Sequence, residues 1–142
     1  MNQNAFTLRI HFIRAMLCVA LVAAMTPPPA FPGQDRLAAI ALDTFKRFGL
    51  SPMPRVRLVK SGSGDLERGE LARAVVYDSG REEVRVSQRL MSDPRLPGAF
   101  DHEAAHLLTW RIHGHDVEVH GPEFRAICRK YARDPKSCGT HL

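Results

Sequence analysis

A chain of 142 residues is long enough to form one domain with a modest core of its own, and no internal repeat divides it. Its net charge of +5 comes from basic residues interspersed with acidic ones, which excludes the long basic run of a nucleic-acid-binding arm. Without residues 1–30, which carry Arg9 and Arg14, 18 basic residues stand against 15 acidic ones, a mild balance that names no partner.

Arg9, His11 and Arg14 precede an uncharged apolar run from Ala15 to Met25, and Thr26-Pro27-Pro28-Pro29-Ala30 follows it. A basic patch, a short apolar stretch and small residues before a proline-rich exit form the layout of a secretory signal. The run falls short of the roughly 20 apolar residues that span a bilayer. Residues 1–30 are therefore expected to direct export, to the periplasm or beyond, with cleavage near Ala24 or Ala30. An uncleaved N-terminal anchor is one alternative, and the only one that would touch a membrane. A true start at Met25, leaving a cytoplasmic protein, is the other. Cys18 has no small-residue lipobox before it, which argues against a lipoprotein. Residues 31–34 read as linker, continuing the extended stretch that Pro27 to Pro29 and Pro32 impose. The folded domain is expected over 35–142.

From Asp35 to Phe48, Leu37, Ile40, Ala41, Phe45 and Phe48 recur at three- and four-residue steps, which predicts an amphipathic helix stopped by Gly49. Pro52 and Pro54 break the chain before Arg55 to Lys60, whose alternation predicts a half-buried strand. Ser61-Gly62-Ser63-Gly64-Asp65 lacks the Gly-Lys-Ser/Thr ending of a phosphate loop and reads as a flexible connection. Leu71 to Tyr77 and Glu83 to Ser87 are two further strands, and Asp78-Ser79-Gly80 makes them a hairpin. Gln88 to Met91 adds a turn, and Ser92-Asp93-Pro94 signals a new helix.

That helix is expected from Leu96 or Pro97 to His113, with Gly114 ending it. Phe100, Ala104, Leu107, Leu108 and Trp110 surround it with apolar bulk, so it should be central and buried on more than one side. After a loop over His115 to Val119, Gly121-Pro122-Glu123 opens the last helix, where proline suits the first turn and Glu123 the positive end of the dipole. Phe124, Ile127, Cys128 and Tyr131 form one face, Arg125, Arg129, Lys130 and Arg133 the other, and Pro135 ends it. The sum is an α+β domain: a short antiparallel sheet packed on a central helix, followed by a C-terminal helix.

The central helix carries His102-Glu103-Ala104-Ala105-His106. At about 100° per residue, His102 and His106 lie one turn apart on one face, so two imidazoles can converge on one metal ion with Glu103 beside them. The apolar flanks make such a polar set costly unless it is bound to something. Zinc takes neutral imidazole nitrogens, and a catalytic site keeps three protein ligands with water in the fourth position. His120 is the best candidate for the third ligand, because its loop returns from the helix end, with His113 and His115 as alternatives. Bound zinc brings the pKa of its water towards neutrality, and Glu103 can take the proton and pass it to a leaving amine.

Other polar residues leave readings open. His113 and His115 complement the helix dipole as cations, or one of them supports an oxyanion or a ligand. Asp101 and Asp116 are candidates to orient ligand imidazoles. Cys128 and Cys138 either pair, tying the tail to the last helix, or stay apart as a buried thiol and a free one. Together with His141 they make a poor second zinc site, since four spaced ligands are expected.

The stretch His102-Glu103-Ala104-Ala105-His106, Thr109-Trp110, Ile112, Gly114 and His120-Gly121-Pro122-Glu123-Phe124 resembles the SprT-like zinc metallopeptidases. Thirteen residues separate His106 from His120, within that family's usual range. The resemblance covers about a quarter of the chain closely and the upstream elements only by their order. It implies a small zincin-like domain with one catalytic Zn2+, His102, His106 and His120 as metal ligands, and Glu103 as general base. Trp110 and Phe124 match positions that pack the two helices together. A metzincin is excluded, because its third histidine would fall on Ile112.

Many family members continue into a C-terminal cysteine-rich zinc ribbon, and none is expected from Cys128, Cys138 and His141 here. Intracellular members include enzymes of DNA–protein crosslink repair, and nothing beyond general basicity points there. The expected function is zinc-dependent hydrolysis of peptide bonds in a protein or peptide substrate, with no nucleic-acid partner for an exported chain. The alternatives are a zinc-stabilised binding or assembly protein with little turnover, and a DNA-associated protease if the start lies at Met25.

Overall fold

A computed structural model describes residues 33–60 and 62–139. The expected export segment, the first half of the linker and His141 lie outside the described residues. Helix α1 spans Gln34–Arg47, taking in the last residue of the expected linker. Strands β1 (Arg55–Val59), β2 (Ala72–Val76) and β3 (Glu82–Ser87) follow, then a 3-10 turn over Gln88–Ser92. Helix α2 spans Leu96–His113, α3 spans Pro122–Tyr131, and a second 3-10 turn covers Pro135–Cys138. Among the described residues no helix is long and apolar enough to cross a membrane.

The sheet corrects one expectation, because it is mixed rather than antiparallel. Its order is β1-β3-β2. The hairpin forms as expected, with β2 antiparallel to β3 and Ala74 opposite Val84, and Gly80 takes the positive φ of 75° that its turn demands. β3 then returns between β2 and β1, which pair with it from opposite sides, so that β1 runs parallel to β3 with Val56 opposite Val84. Local alternation identifies strands but carries no record of which distant strand lies beside which.

Alternation along the strands divides the sheet into two faces. Val84, Val86, Ala72 and Ala74 are buried in the core with α2, whereas Arg57, Arg85 and Tyr77 lie on the other face and converge on Glu83. Burial and these partners oppose one another at Glu83, and its pKa ends below the ordinary value.

Helix α2 is central, as its all-round apolar sequence predicts. Leu96, Phe100, Ala104, Ala105 and Leu107 are fully buried within it. Phe45 of α1 packs against Phe100 with ring centres 6.1 Å apart, and each such buried side chain contributes roughly 1.5–3 kcal/mol by leaving water. At the far end Arg111 grips both carboxylate oxygens of Glu82 at 2.8 and 2.6 Å and the carbonyls of Ser51 and Pro52, which fixes α2 against the sheet. At the near end the Asp101 carboxylate accepts from Thr44 and Arg47 of α1 and from Arg133 beyond α3. The helix is thus held at both ends, with the buried polar set of His102, Glu103 and His106 between them.

Candidate metal centre

His102 and His106 project from one face of α2, one turn apart, and His120 reaches them from the loop before α3. The Nε2 atoms of His120 and His106 lie 3.0 and 3.1 Å from that of His102. Ligand atoms of all three fall within 4.8 Å of one another. Of the three candidates for a third imidazole, the fold brings in His120 and leaves His113 and His115 exposed near the end of α2. His115 instead sets its ring 5.4 Å from Trp110.

His120 arrives there because the chain turns tightly over Glu118–Gly121, closed by the Gly121 N–H donating to the Glu118 carbonyl at 2.9 Å. A Cβ on residue 121 would come 2.9 Å from Cβ of Glu118 and 3.0 Å from its carbonyl oxygen, so the turn requires glycine. Arg125 closes the loop from the other side, donating to the His120 carbonyl at 2.7 Å. Below the imidazoles lies Phe124, fully buried, with its ring centre 4.4 Å from that of His106, 5.0 Å from His102 and 4.9 Å from His120. An apolar floor of this kind keeps water from one side of the cluster.

The protonation states suit a metal ion. His102 Nδ1 lies 2.8 Å from the carbonyl of Ser137. A carbonyl only accepts, so Nδ1 carries the proton, and in the neutral ring Nε2 presents a bare lone pair to the cluster. Burial pushes the pKa of His102 down, and the facing His120 adds to this. Burial, then the neighbouring His102 and His120, push His106 down to about 3. Neutral imidazoles converging on one point are what a divalent transition metal requires. Among the described residues His106 Nδ1 is buried with no hydrogen-bond partner, a polar atom whose burial is offset only if the ring gains an interaction elsewhere. These three histidines could hold a metal ion.

Glu103 lies on the same turn of α2, facing β2. Its Oε2 accepts the backbone N–H of Ala74 at 2.6 Å. Burial raises its pKa to about 7, against the lowering effect of that hydrogen bond. A cleft of about 350 Å³ opens over the site, lined by His102, Glu103, His106, His120 and the segment from Gly69 to Ala74 that leads into β2. Trp110 and Val119 also line it.

A model of the SprT-like family matches residues 36–140, well over half of the chain. The chain belongs to the SprT-like family. No curated protein and no solved structure matches it. Family membership extends the likeness beyond the histidine motif to α1 and the sheet, whose order of elements the motif alone did not test.

Three expectations need correction in this SprT-like domain. Asp101 does not orient an imidazole; it holds α1 and the tail, as described above. Asp116 is exposed on the loop after α2. Trp110 is only half-buried, stacks on His106 with ring centres 5.4 Å apart and lines the cleft, so it belongs to the site as much as to the core. Phe124 does pack between the helices, as expected. The group that orients His102 is a main-chain carbonyl, and the group that holds Glu103 is a main-chain amide, neither of which leaves any mark in a sequence.

Cys128 and Cys138, whose pairing the sequence left open, form a disulfide.

Proposed function

We propose that this domain is an exported zinc-dependent endopeptidase. The observation that carries the proposal is the convergence of three imidazoles beside one buried carboxylate in an open cleft bordered by a strand edge. His102, His106 and His120 would hold the ion. Bound zinc supplies Lewis acidity, making water a usable nucleophile near neutral pH and polarising the scissile carbonyl. Zinc is favoured over magnesium or calcium by the all-imidazole donor set, since those ions prefer oxygen ligands.

Glu103 acts as the general base. Its carboxylate takes the proton of the attacking water and delivers it to the leaving amine nitrogen as the C–N bond breaks. A pKa near 7 places the group between its two tasks, accepting in one step and donating in the next. The Ala74 N–H fixes the carboxylate's orientation so that little reorganisation is needed.

β2 supplies the place for an extended substrate. It is an edge strand, and antiparallel pairing with β3 uses the main-chain groups of alternate residues. Because the Ala74 N–H turns to Glu103 instead of β3, the groups of Ala72 and Ala74 are those turned away from the sheet. A peptide laid along this edge would add a fourth strand, with its backbone beside the imidazoles. The substrate is then an unfolded or extended protein segment.

Export rests on the N-terminal layout, and the Cys128–Cys138 disulfide supports it, since such bonds persist in oxidising compartments. Mass spectrometry of the mature protein checks this: a start near residue 25 or 31 after processing is expected, and an intact Met1 in the cytoplasm contradicts it. For the chemistry, zinc content and cleavage of unfolded casein are measured on wild type and Glu103→Gln. Equal zinc in both with cleavage only by wild type is expected. Retained turnover by the variant removes the general-base role, and absence of turnover by zinc-loaded wild type on any unfolded protein removes the peptidase.

A further inference from the structure

The segment after α3 doubles back over α2, and it is pinned on both sides of the residue that touches His102. Before it, Asp101 accepts the backbone N–H of Arg133 at 2.7 Å and its guanidinium at 3.0 Å. Within it, Asp134 caps the Pro135–Cys138 turn by accepting the Lys136 N–H at 2.9 Å, and the Ser137 hydroxyl donates to the Asp134 carbonyl at 2.6 Å. After it, Cys138 is bonded to Cys128 of α3. Cys128 is fully buried and stands one turn beyond Phe124, the floor of the imidazole cluster.

Ser137 itself is buried against α2. Gly98, one turn before His102, lets it approach; a Cβ there would already lie 3.4 Å from Ser137 Cβ. The Ser137 carbonyl meets His102 Nδ1 at 2.8 Å. Among the described residues the disulfide is the last bond that ties this strap to another element.

We propose that the Cys128–Cys138 disulfide is a positioning element of the three-histidine site, holding the Ser137 carbonyl on His102 Nδ1 and so fixing the tautomer that leaves Nε2 free to bind metal. The inference rests on the reading of His102, His106 and His120 as metal ligands. Without the bond, Arg133 and the Asp134 cap still start the turn, but its distal end is released. The carbonyl then shares its time between His102 and water, and the imidazole samples both tautomers and a range of ring orientations. Only one of those states is competent to bind, so affinity falls by the fraction lost. Loss of a group that orients a metal-bound histidine weakens metal binding roughly 10–100-fold.

Two preparations remove the bond: the variant Cys128→Ala/Cys138→Ala, and wild type reduced with a water-soluble phosphine and desalted under argon. In the second, the phosphine gains oxygen from water as the disulfide takes up two electrons and two protons. Each is compared with oxidised wild type by competition with a chromophoric chelator for zinc, with circular dichroism following the fold. Long-range 1H–15N correlation on zinc-free protein reads the His102 tautomer. A pure Nδ1–H form in oxidised wild type, mixed forms in both other preparations, and zinc affinity about 10–100-fold lower in both are expected.

Unchanged tautomer and affinity in the folded, bond-free proteins overturn the proposal. So does unfolding of both preparations, because the bond would then be holding the domain together rather than placing one ligand. The alanine pair excludes any effect of free thiols competing for zinc. Should oxidised wild type bind no zinc at all, the metal reading fails, while the tautomer comparison still judges the role of the disulfide.

Discussion

Asp101 and Glu103 are buried carboxylates two residues apart on one helix, and their surroundings could hardly differ more. Asp101 collects the Thr44 hydroxyl, both guanidinium groups of Arg47 and Arg133, and the Arg133 backbone N–H. Glu103 accepts one backbone N–H, from Ala74, among the described residues, and no cation is bonded to it. A carboxylate saturated with donors is held in one geometry, which suits a joint between elements. A carboxylate left with a single donor in an apolar setting can gain and lose a proton, which suits chemistry.

The largest expected effect of breaking the comparison is on the saturated side. Asp101→Ala removes the buried carboxylate between Arg47 and Arg133 and leaves them the exposed Asp43, and removal of one partner from a buried network costs about 3–5 kcal/mol. Thermal unfolding of the zinc-free protein should show a loss large enough to leave the domain partly unfolded; a small change would mean that Arg47 and Arg133 find water instead.

On the unsaturated side a substitution should stabilise. The pKa of Glu103 is raised from 4.5 to about 7, so its burial costs nothing below pH 4.5, where both folded and unfolded chains are protonated. As pH rises from 4.5 to about 7 the unfolded chain ionises first, and stability falls. Above that window the full penalty, about 3 kcal/mol, is present. His106, depressed to about 3, acts in the opposite sense, with stability lost as pH falls from 6.5. Comparing Glu103→Gln with wild type cancels the His106 contribution. Denaturant unfolding of metal-free protein should find the variant more stable at pH 8 and equal at pH 4; equal stability at pH 8 would mean Glu103 is solvated.

A smaller effect is expected at Gly121. Gly121→Ala must displace the Glu118 main chain, and overpacking of this sort costs about 1–3 kcal/mol. Because the same turn delivers His120, zinc affinity should fall with stability; calorimetric zinc titration showing a stability loss alone would detach the turn from the site. The smallest effect belongs to His113→Ala, at an exposed helix end, where less than about 0.5 kcal/mol and no change in zinc binding are expected.

How much of this was legible beforehand follows the range of the interactions. The bounds of α2, the hairpin at Asp78-Ser79-Gly80 and the convergence of His102 with His106 depend on neighbours within a few residues, and periodicity displays them. His120 was legible through the His-Gly-x-x-Phe spacing. The parallel pairing of β1 with β3 was not, because strand alternation is the same for either partner. The donors to Asp101 come from 54 and 32 residues away, and so the aspartate beside His102 looked like part of the site. Ser137 and Ala74 act through backbone atoms, which every residue possesses.

The central claim is that His102, His106 and His120 grip one zinc ion, and X-ray absorption at the zinc edge of the loaded, dialysed protein tests it most directly. The account predicts one ion per chain with three imidazoles and one oxygen at about 2.0–2.1 Å. Sulfur scattering at about 2.3 Å, or zinc lost on dialysis, would contradict it.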